Sequence, residues 1–182
     1  MSTATFATRF PGAIILPYNG VWPRIADSAF VAPGAVVAGD VTIGEEANIW
    51  FGCVMRGDVQ SIRIGARTNI QDGTVIHVTR EIGPTVIGDE VTVGHMALIH
   101  AATVKDRAFV GMGSRMLDFS VIEAGGYLAA GAVLTPRKTV PSGELWAGNP
   151  AKMLRPVSEA EADWIPKSAE HYVKLAKNYK TL

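Results

Sequence analysis

Aliphatic residues recur every six positions along most of this chain, first at Ile25, Val31, Val37, Ile43, Ile49 and Met55. The count resumes at Ile64, Ile70 and Ile76, then at Ile87, Val93 and Ile99. A last run goes from Val104 through Val110, Met116, Ile122, Leu128 and Leu134 to Val140. Glycine often follows the aliphatic, as in Ile43-Gly44, Ile64-Gly65, Ile87-Gly88 and Val110-Gly111. An ordinary strand alternates with period two and a helix with about 3.6, so a period of six held over roughly 115 residues fits neither a sandwich nor a bundle. It predicts a β-solenoid. Each hexapeptide supplies a short strand and a turn, three hexapeptides close one triangular coil, and the aliphatic side chain points into the prism.

The pattern changes past Pro150. Ser158-Glu159-Ala160-Glu161 reads as a capping box, so a helix should start there. Pro166 is expected to kink or restart it, and Tyr172, Leu175, Ala176 and Tyr179 share a face that should lie against the outside of the prism. The expected organisation is an N-terminal segment 1–20, a solenoid 21–150 and a C-terminal helical part 151–182.

Composition narrows the function classes. With 182 residues, 48% of them apolar, the chain can bury one sizeable core, which excludes disorder and a fibrous chain. Seventeen Lys+Arg balance seventeen Asp+Glu, so no overall basic field gathers nucleic acid or an anionic membrane surface. No apolar run approaches the roughly 20 residues that span a bilayer, and the start of the chain does not read as a secretory signal. One cysteine, Cys53, permits no disulfide within the chain, which suits a reducing cytoplasm, and its apolar neighbours make it a core residue.

Candidate chemistry lies in the histidines. His77 follows Ile76 and His100 follows Ile99, a separation of 23, or one 18-residue coil plus five. The segment 79–84 supplies a looped-out insertion for the excess. The two rings should therefore stack on one corner of adjacent coils, roughly 4.8 Å apart, which suits a shared zinc or another borderline divalent ion. His95 follows Val93 by two and so belongs to another side of the triangle. A third ligand would have to cross an interface: three prisms packed side by side would bring each His95 to a neighbour's His77/His100 pair, with an open position left for water.

The stretch Trp50-Phe51-Gly52-Cys53-Val54-Met55-Arg56-Gly57-Asp58, with Ile62-Arg63-Ile64-Gly65, Asn69-Ile70-Gln71-Asp72-Gly73 and Val75-Ile76-His77, resembles the γ-class carbonic anhydrases. Val93-Gly94-His95, Ile99-His100, Val110-Gly111-Met112-Gly113 and Gly148-Asn149-Pro150-Ala151-Lys152 continue the resemblance, which covers roughly 21 to 182. It implies a left-handed parallel β-helix with a C-terminal helix, assembled as a homotrimer. It implies reversible hydration of carbon dioxide to bicarbonate by metal-bound hydroxide, the ion held by His77 and His100 of one subunit and His95 of the next. The ion is expected to be Zn2+, with Fe2+ or Co2+ possible on the same donors. Asp58 and Gln71 are implied near the metal water, Arg56 and Asp72 as a structural ion pair, and Tyr172 as approaching the pocket or simply packing.

The chain also departs from that pattern. Val59 stands where the archetype carries a glutamate, and the loop after the first histidine is short, with Glu81 as its only carboxylate and candidate proton carrier. Two other readings stay open on the same solenoid: a CoA-dependent acyltransferase using one histidine as general base, and a metal-carrying binding or scaffold protein.

Overall fold

A computed structural model describes residues 3–180 of the chain. The period of six is realised as a parallel β-solenoid of about seven turns with three faces. One face stacks, among others, Val75–His77, Leu98–His100, Arg115–Met116 and Val133–Leu134. The second stacks Thr85–Ile87, Thr103–Val104, Val121–Ile122 and Thr139–Val140. The long strands Val36–Ile43 and Val54–Ile64 run round the corner between these faces and join them into one 12-stranded sheet. The third face has eight strands, from Phe30–Val31 through Asn48–Ile49, Asn69–Ile70 and Thr92–Val93 to an antiparallel closing pair, Glu144–Gly148 with Ala151–Pro156.

Every aliphatic residue of the ladder from Ile25 to Val140 is at most 6% exposed. Because each fully buried side chain of this size contributes roughly 1.5–3 kcal/mol, the stacked ladder is the main source of stability. Phe6 and Phe10, from the end of the chain that holds the short helix Thr3–Arg9, are buried in the same core.

The C-terminal helix Glu159–Tyr179 starts on the expected capping box: the Glu161 amide donates to the Ser158 side chain, and the Glu161 carboxylate accepts from the Ser158 amide. It does not restart at Pro166. The helix runs on through that residue, which lies exposed, as does Ala162, whose carbonyl loses its partner and can meet water instead. Ile165, Ser168, Ala169, Val173 and Ala176 form the buried stripe against the third face, while Tyr172 and Leu175 pack at its margin with Phe30 and Trp50. Tyr179 meets the same aromatic group edge-on but stays 40% exposed.

Polar residues beneath the helix are satisfied in a chain. Gln71 Nε2 donates to Asn69 Oδ1 at 3.0 Å, Asn69 Nδ2 to Thr92 Oγ1 at 2.9 Å, and Thr92 Oγ1 to Ser168 Oγ of the helix at 3.0 Å. All four residues are buried, so the chain of bonds fixes both the helix and the Gln71 amide.

Candidate metal centre

His77 and His100 end their strands and are direct register partners on adjacent coils. The excess residues between them form the expected loop, closed where Thr79 pairs with Gly83. The ring centroids lie 5.2 Å apart, and His77 Nδ1 faces His100 Nε2 at 3.2 Å. Behind each ring stands a carboxylate. His77 Nε2 is 3.0 Å from Asp58 Oδ1, and His100 Nδ1 is 2.6 Å from Asp118 Oδ1.

Protonation follows from these partners. Burial pushes the Asp58 carboxyl up, but bonds from His77, Arg56 and the Val59 amide outweigh it and hold the group below its ordinary value. Burial likewise opposes ionisation of Asp118, and bonds from Thr79 and His100 again prevail. Both carboxylates are therefore ionised near neutral pH and can only accept. An imidazole that donates its N–H to such a carboxylate turns its other ring nitrogen, bare, toward the neighbouring ring. Lone pairs 3.2 Å apart repel unless a cation lies between them. Two nitrogens bound at about 2.0–2.1 Å by one tetrahedral ion are separated by about 3.3 Å, so the pair fits a borderline divalent metal.

His95 lies elsewhere. It sits in the turn after Thr92–Val93, at the corner where the third face meets the histidine-bearing face, just before Met96 in left-handed backbone (φ 59). Its Nδ1 is 2.8 Å from Asp72 Oδ2, and its side chain is 42% exposed. It lines a shallow cleft with Gln71, Trp164 and Tyr172. Among the described residues, no group of three His, Cys, Asp or Glu side chains converges on one point.

One chain thus carries a histidine pair at one corner and a single histidine at another. Asp58 belongs with the His77/His100 pair and Gln71 with His95, so these two residues do not meet within the chain. Arg56 and Asp72 do not meet within one chain: Arg56 binds Asp58, two residues along its own strand, while Asp72 is turned to His95 at another corner, so the implied trimer-stabilising pair would have to form between chains. Tyr172 both packs and lines the cleft, edge-on to Trp50 at 5.5 Å. Burial, assisted by the negative charge of Asp72, pushes its hydroxyl pKa up. Glu81 is exposed in the 79–83 loop, its backbone carbonyl held by Gln60 Nε2 at 2.8 Å. Cys53 is fully buried and its thiol is pushed up to about 12, chiefly by burial, which keeps it inert.

Residues 23–57 match the family model described as bacterial transferase hexapeptide (six repeats). The chain is 49% identical over 160 residues to gamma carbonic anhydrase 2, a mitochondrial protein of Arabidopsis thaliana, covering 85% of this chain and 58% of that one. A carbonic anhydrase of Geobacillus kaustophilus is 42% identical over 169 residues, which cover 93% of this chain and 92% of the relative. The chain belongs to the γ-class carbonic anhydrase family. A solved structure of a hexapeptide transferase family protein from Anaplasma phagocytophilum superposes with a TM-score of 0.88 at 51% identity, covering 91% of this chain and 98% of that one. The chain spans a little over half the length of the plant relative, 58%, so the match concerns this shared solenoid.

In this γ-class chain, sequence reasoning missed Asp118, Thr79 and Trp164. Asp118 follows His100 by 18, whereas the coil there is 17 residues long (Ile99 pairs with Met116), so register arithmetic points to Leu117 and Asp118 lies one position further, at the corner. Trp164 carries no comparable signal; it reaches the cleft only because the helix packs where it does.

Proposed function

We propose that this chain is a carbonic anhydrase that converts carbon dioxide and water reversibly to bicarbonate and a proton, at the interfaces of a homotrimer. His77 and His100 of one subunit and His95 of the next would hold the ion, zinc first among the candidates, with iron and cobalt compatible with the same donors. The observation that carries this reading is the pair of bare nitrogens facing each other at 3.2 Å, each ring backed by a carboxylate. His95 supports it: Asp72 occupies its Nδ1, so Nε2 is the nitrogen left to offer, at an exposed corner where a neighbour can meet it.

When bound, the ion supplies an activated water as nucleophile at neutral pH. The chain's own groups set the stage. Asp58 and Asp118 fix the two rings and their tautomers. The Gln71 amide nitrogen is spent on Asn69, which leaves Oε1 as an acceptor beside the cleft, able to orient a water proton. Tyr172 stays protonated and closes one wall. Each turnover releases a proton. Glu81, exposed on the loop that follows His77, is the carboxylate to take it up and pass it to buffer, and Val59 offers no second carrier. No helix among the described residues is long and apolar enough to cross a membrane. The single cysteine suits a trimer in a reducing cytoplasm.

Metal analysis of protein purified with and without air, paired with stopped-flow carbon dioxide hydration, tests the reading. About one equivalent per chain and measurable hydration are expected, both lost in His77→Ala. Stoichiometric metal retained in the alanine variants of all three histidines refutes it. The name of the Anaplasma neighbour motivates the acyltransferase alternative, which instead predicts CoA release from acetyl-CoA that survives complete removal of metal.

A further inference from the structure

We propose that Asp118 is a positioning residue of the histidine pair: it fixes the ring and tautomer of His100 and ties that ring, through Thr79, to the loop that follows His77. The inference rests on the metal reading above.

Asp118 stands at the corner after the strand Arg115–Met116, on the coil next to that of His100. Both of its oxygens are used. Oδ1 accepts from His100 Nδ1 at 2.6 Å, and Oδ2 accepts from Thr79 Oγ1 at 2.6 Å. Two short bonds, one to each oxygen, restrain the carboxylate from turning, and His100 inherits the restraint. Charge-assisted acceptance from Nδ1 also selects the tautomer in which Nε2 is bare, and Nε2 is the nitrogen aimed at His77 Nδ1. Asp58 does the same for His77 from the opposite side, so the two rings are held by two carboxylates of independent origin in the chain.

Thr79 adds a second function. It pairs with Gly83 to close the loop, while Gln60 holds the loop's Glu81 carbonyl. Its hydroxyl therefore fastens the loop bearing Glu81 to the same carboxylate that orients His100, 39 residues away in sequence. A threonine is suited to this because its hydroxyl donates without carrying a charge that would compete with the ion.

Zn2+ affinity measured against a chromophoric chelator, and the visible spectrum of the Co2+-loaded protein, test the assignment without recourse to activity. In Asp118→Ala the Zn2+ affinity should fall about 10- to 100-fold and the cobalt bands should change, since outer carboxylates of metal-bound histidines have effects of that order. Asp118→Asn, which keeps an acceptor of the same size but no charge, should fall between wild type and alanine. Thr79→Val should move the same way by less, because it removes one of the two bonds. Where Asp118→Ala loses the native circular dichroism, the asparagine and valine variants decide, and wild-type affinity and spectrum in both overturn the proposal. Wild-type affinity and spectrum in a folded Asp118→Ala overturn it equally. A wild-type protein that binds neither Zn2+ nor Co2+ overturns the metal reading itself and this inference with it, a result distinguishable from metal uptake that is indifferent to Asp118.

Discussion

If the half-sites complete each other across an interface, two inactive variants must rescue one another. His95→Ala keeps the His77/His100 pair, and His100→Ala keeps His95. In a ring of three chains the interface is heterologous, so each site takes its pair from one chain and its third ligand from the next. At equal concentrations and random assembly, the chance that a pair-bearing chain is followed by a His95-bearing chain is one half times one half. About a quarter of the wild-type sites should therefore reappear in the whole mixture and about a third in purified mixed trimers, each of which has one such interface in three, against essentially none for either variant alone. The structure supports the geometry: His77 and His100 are register partners, whereas His95 lies at a different corner and is 42% exposed. The assay is coexpression or co-refolding with two different tags, tandem purification of mixed trimers, then zinc content and carbon dioxide hydration. The folds should survive, because all three rings are only partly buried and the aliphatic ladder fills the interior. No recovery in proven mixed trimers refutes the intersubunit assignment.

The ladder itself predicts that Ile122→Ala, at a position with no exposed surface, lowers unfolding free energy by about 2–5 kcal/mol, while Ile82→Ala, 70% exposed, stays within about 0.5 kcal/mol; urea titration measures both. Glu161 is held at about 2, first by its bond from Arg155 and then by the Ser158 amide. A lowered folded pKa contributes stability above the ordinary 4.5 that is lost as pH falls toward about 2, so the thermal midpoint should drop across that window in wild type and less in Glu161→Gln. Glu81→Ala should slow hydration at low buffer and recover on adding imidazole; equal rates at every buffer concentration make Glu81 a mere loop residue. Chelation should lower the thermal midpoint of the assembled protein and leave far-ultraviolet circular dichroism unchanged at 25 °C, and an unchanged midpoint in protein stripped of its metal contradicts the site.

Much of this was legible before any coordinates. A six-residue period survives any local propensity, because each hexapeptide turns one large aliphatic side chain into the prism interior, beside a small residue two positions earlier such as Ala29, Ala35, Ala47 or Cys53, and all the ladder positions from Ile25 to Val140 are buried. Register arithmetic also placed His77 against His100, since an insertion on a solenoid loops outward and leaves the stacking intact. Asp118 was not reachable by the same count, which leads from His100 to Leu117; the aspartate lies one position beyond, in the corner, and carries no signal until its neighbour is known. Pairings at corners were not legible. Within one chain Arg56 takes Asp58, two residues away on its own strand, a contact that depends on side-chain reach that spacing does not encode. Pro166 shows the opposite failure: a strong local rule gave way because the residue lies on the solvent side of a helix whose other side is anchored by Ile165, Ser168 and Ala169.

On the proposed reading, division of the ligands between corners would link metal to assembly. Within one chain, the His77/His100 pair is a liability: its two carboxylates force bare nitrogens together at 3.2 Å, and only a proton or a metal relieves the repulsion. A proton adds a charge and satisfies the pair alone, with no call on a neighbour. A divalent ion asks for a third ligand that no other His, Cys, Asp or Glu of the same chain, among the described residues, brings to that point. An ion that binds only the assembled form stabilises it by about 2.7 kcal/mol per site at a hundredfold excess over its Kd. With one such site at each interface of a trimer, the sum rivals the roughly 5–15 kcal/mol that holds a single domain folded. The solenoid supplies rigid corners at fixed spacing, so the chain need not reshape itself to close the site; it needs only to meet its copy.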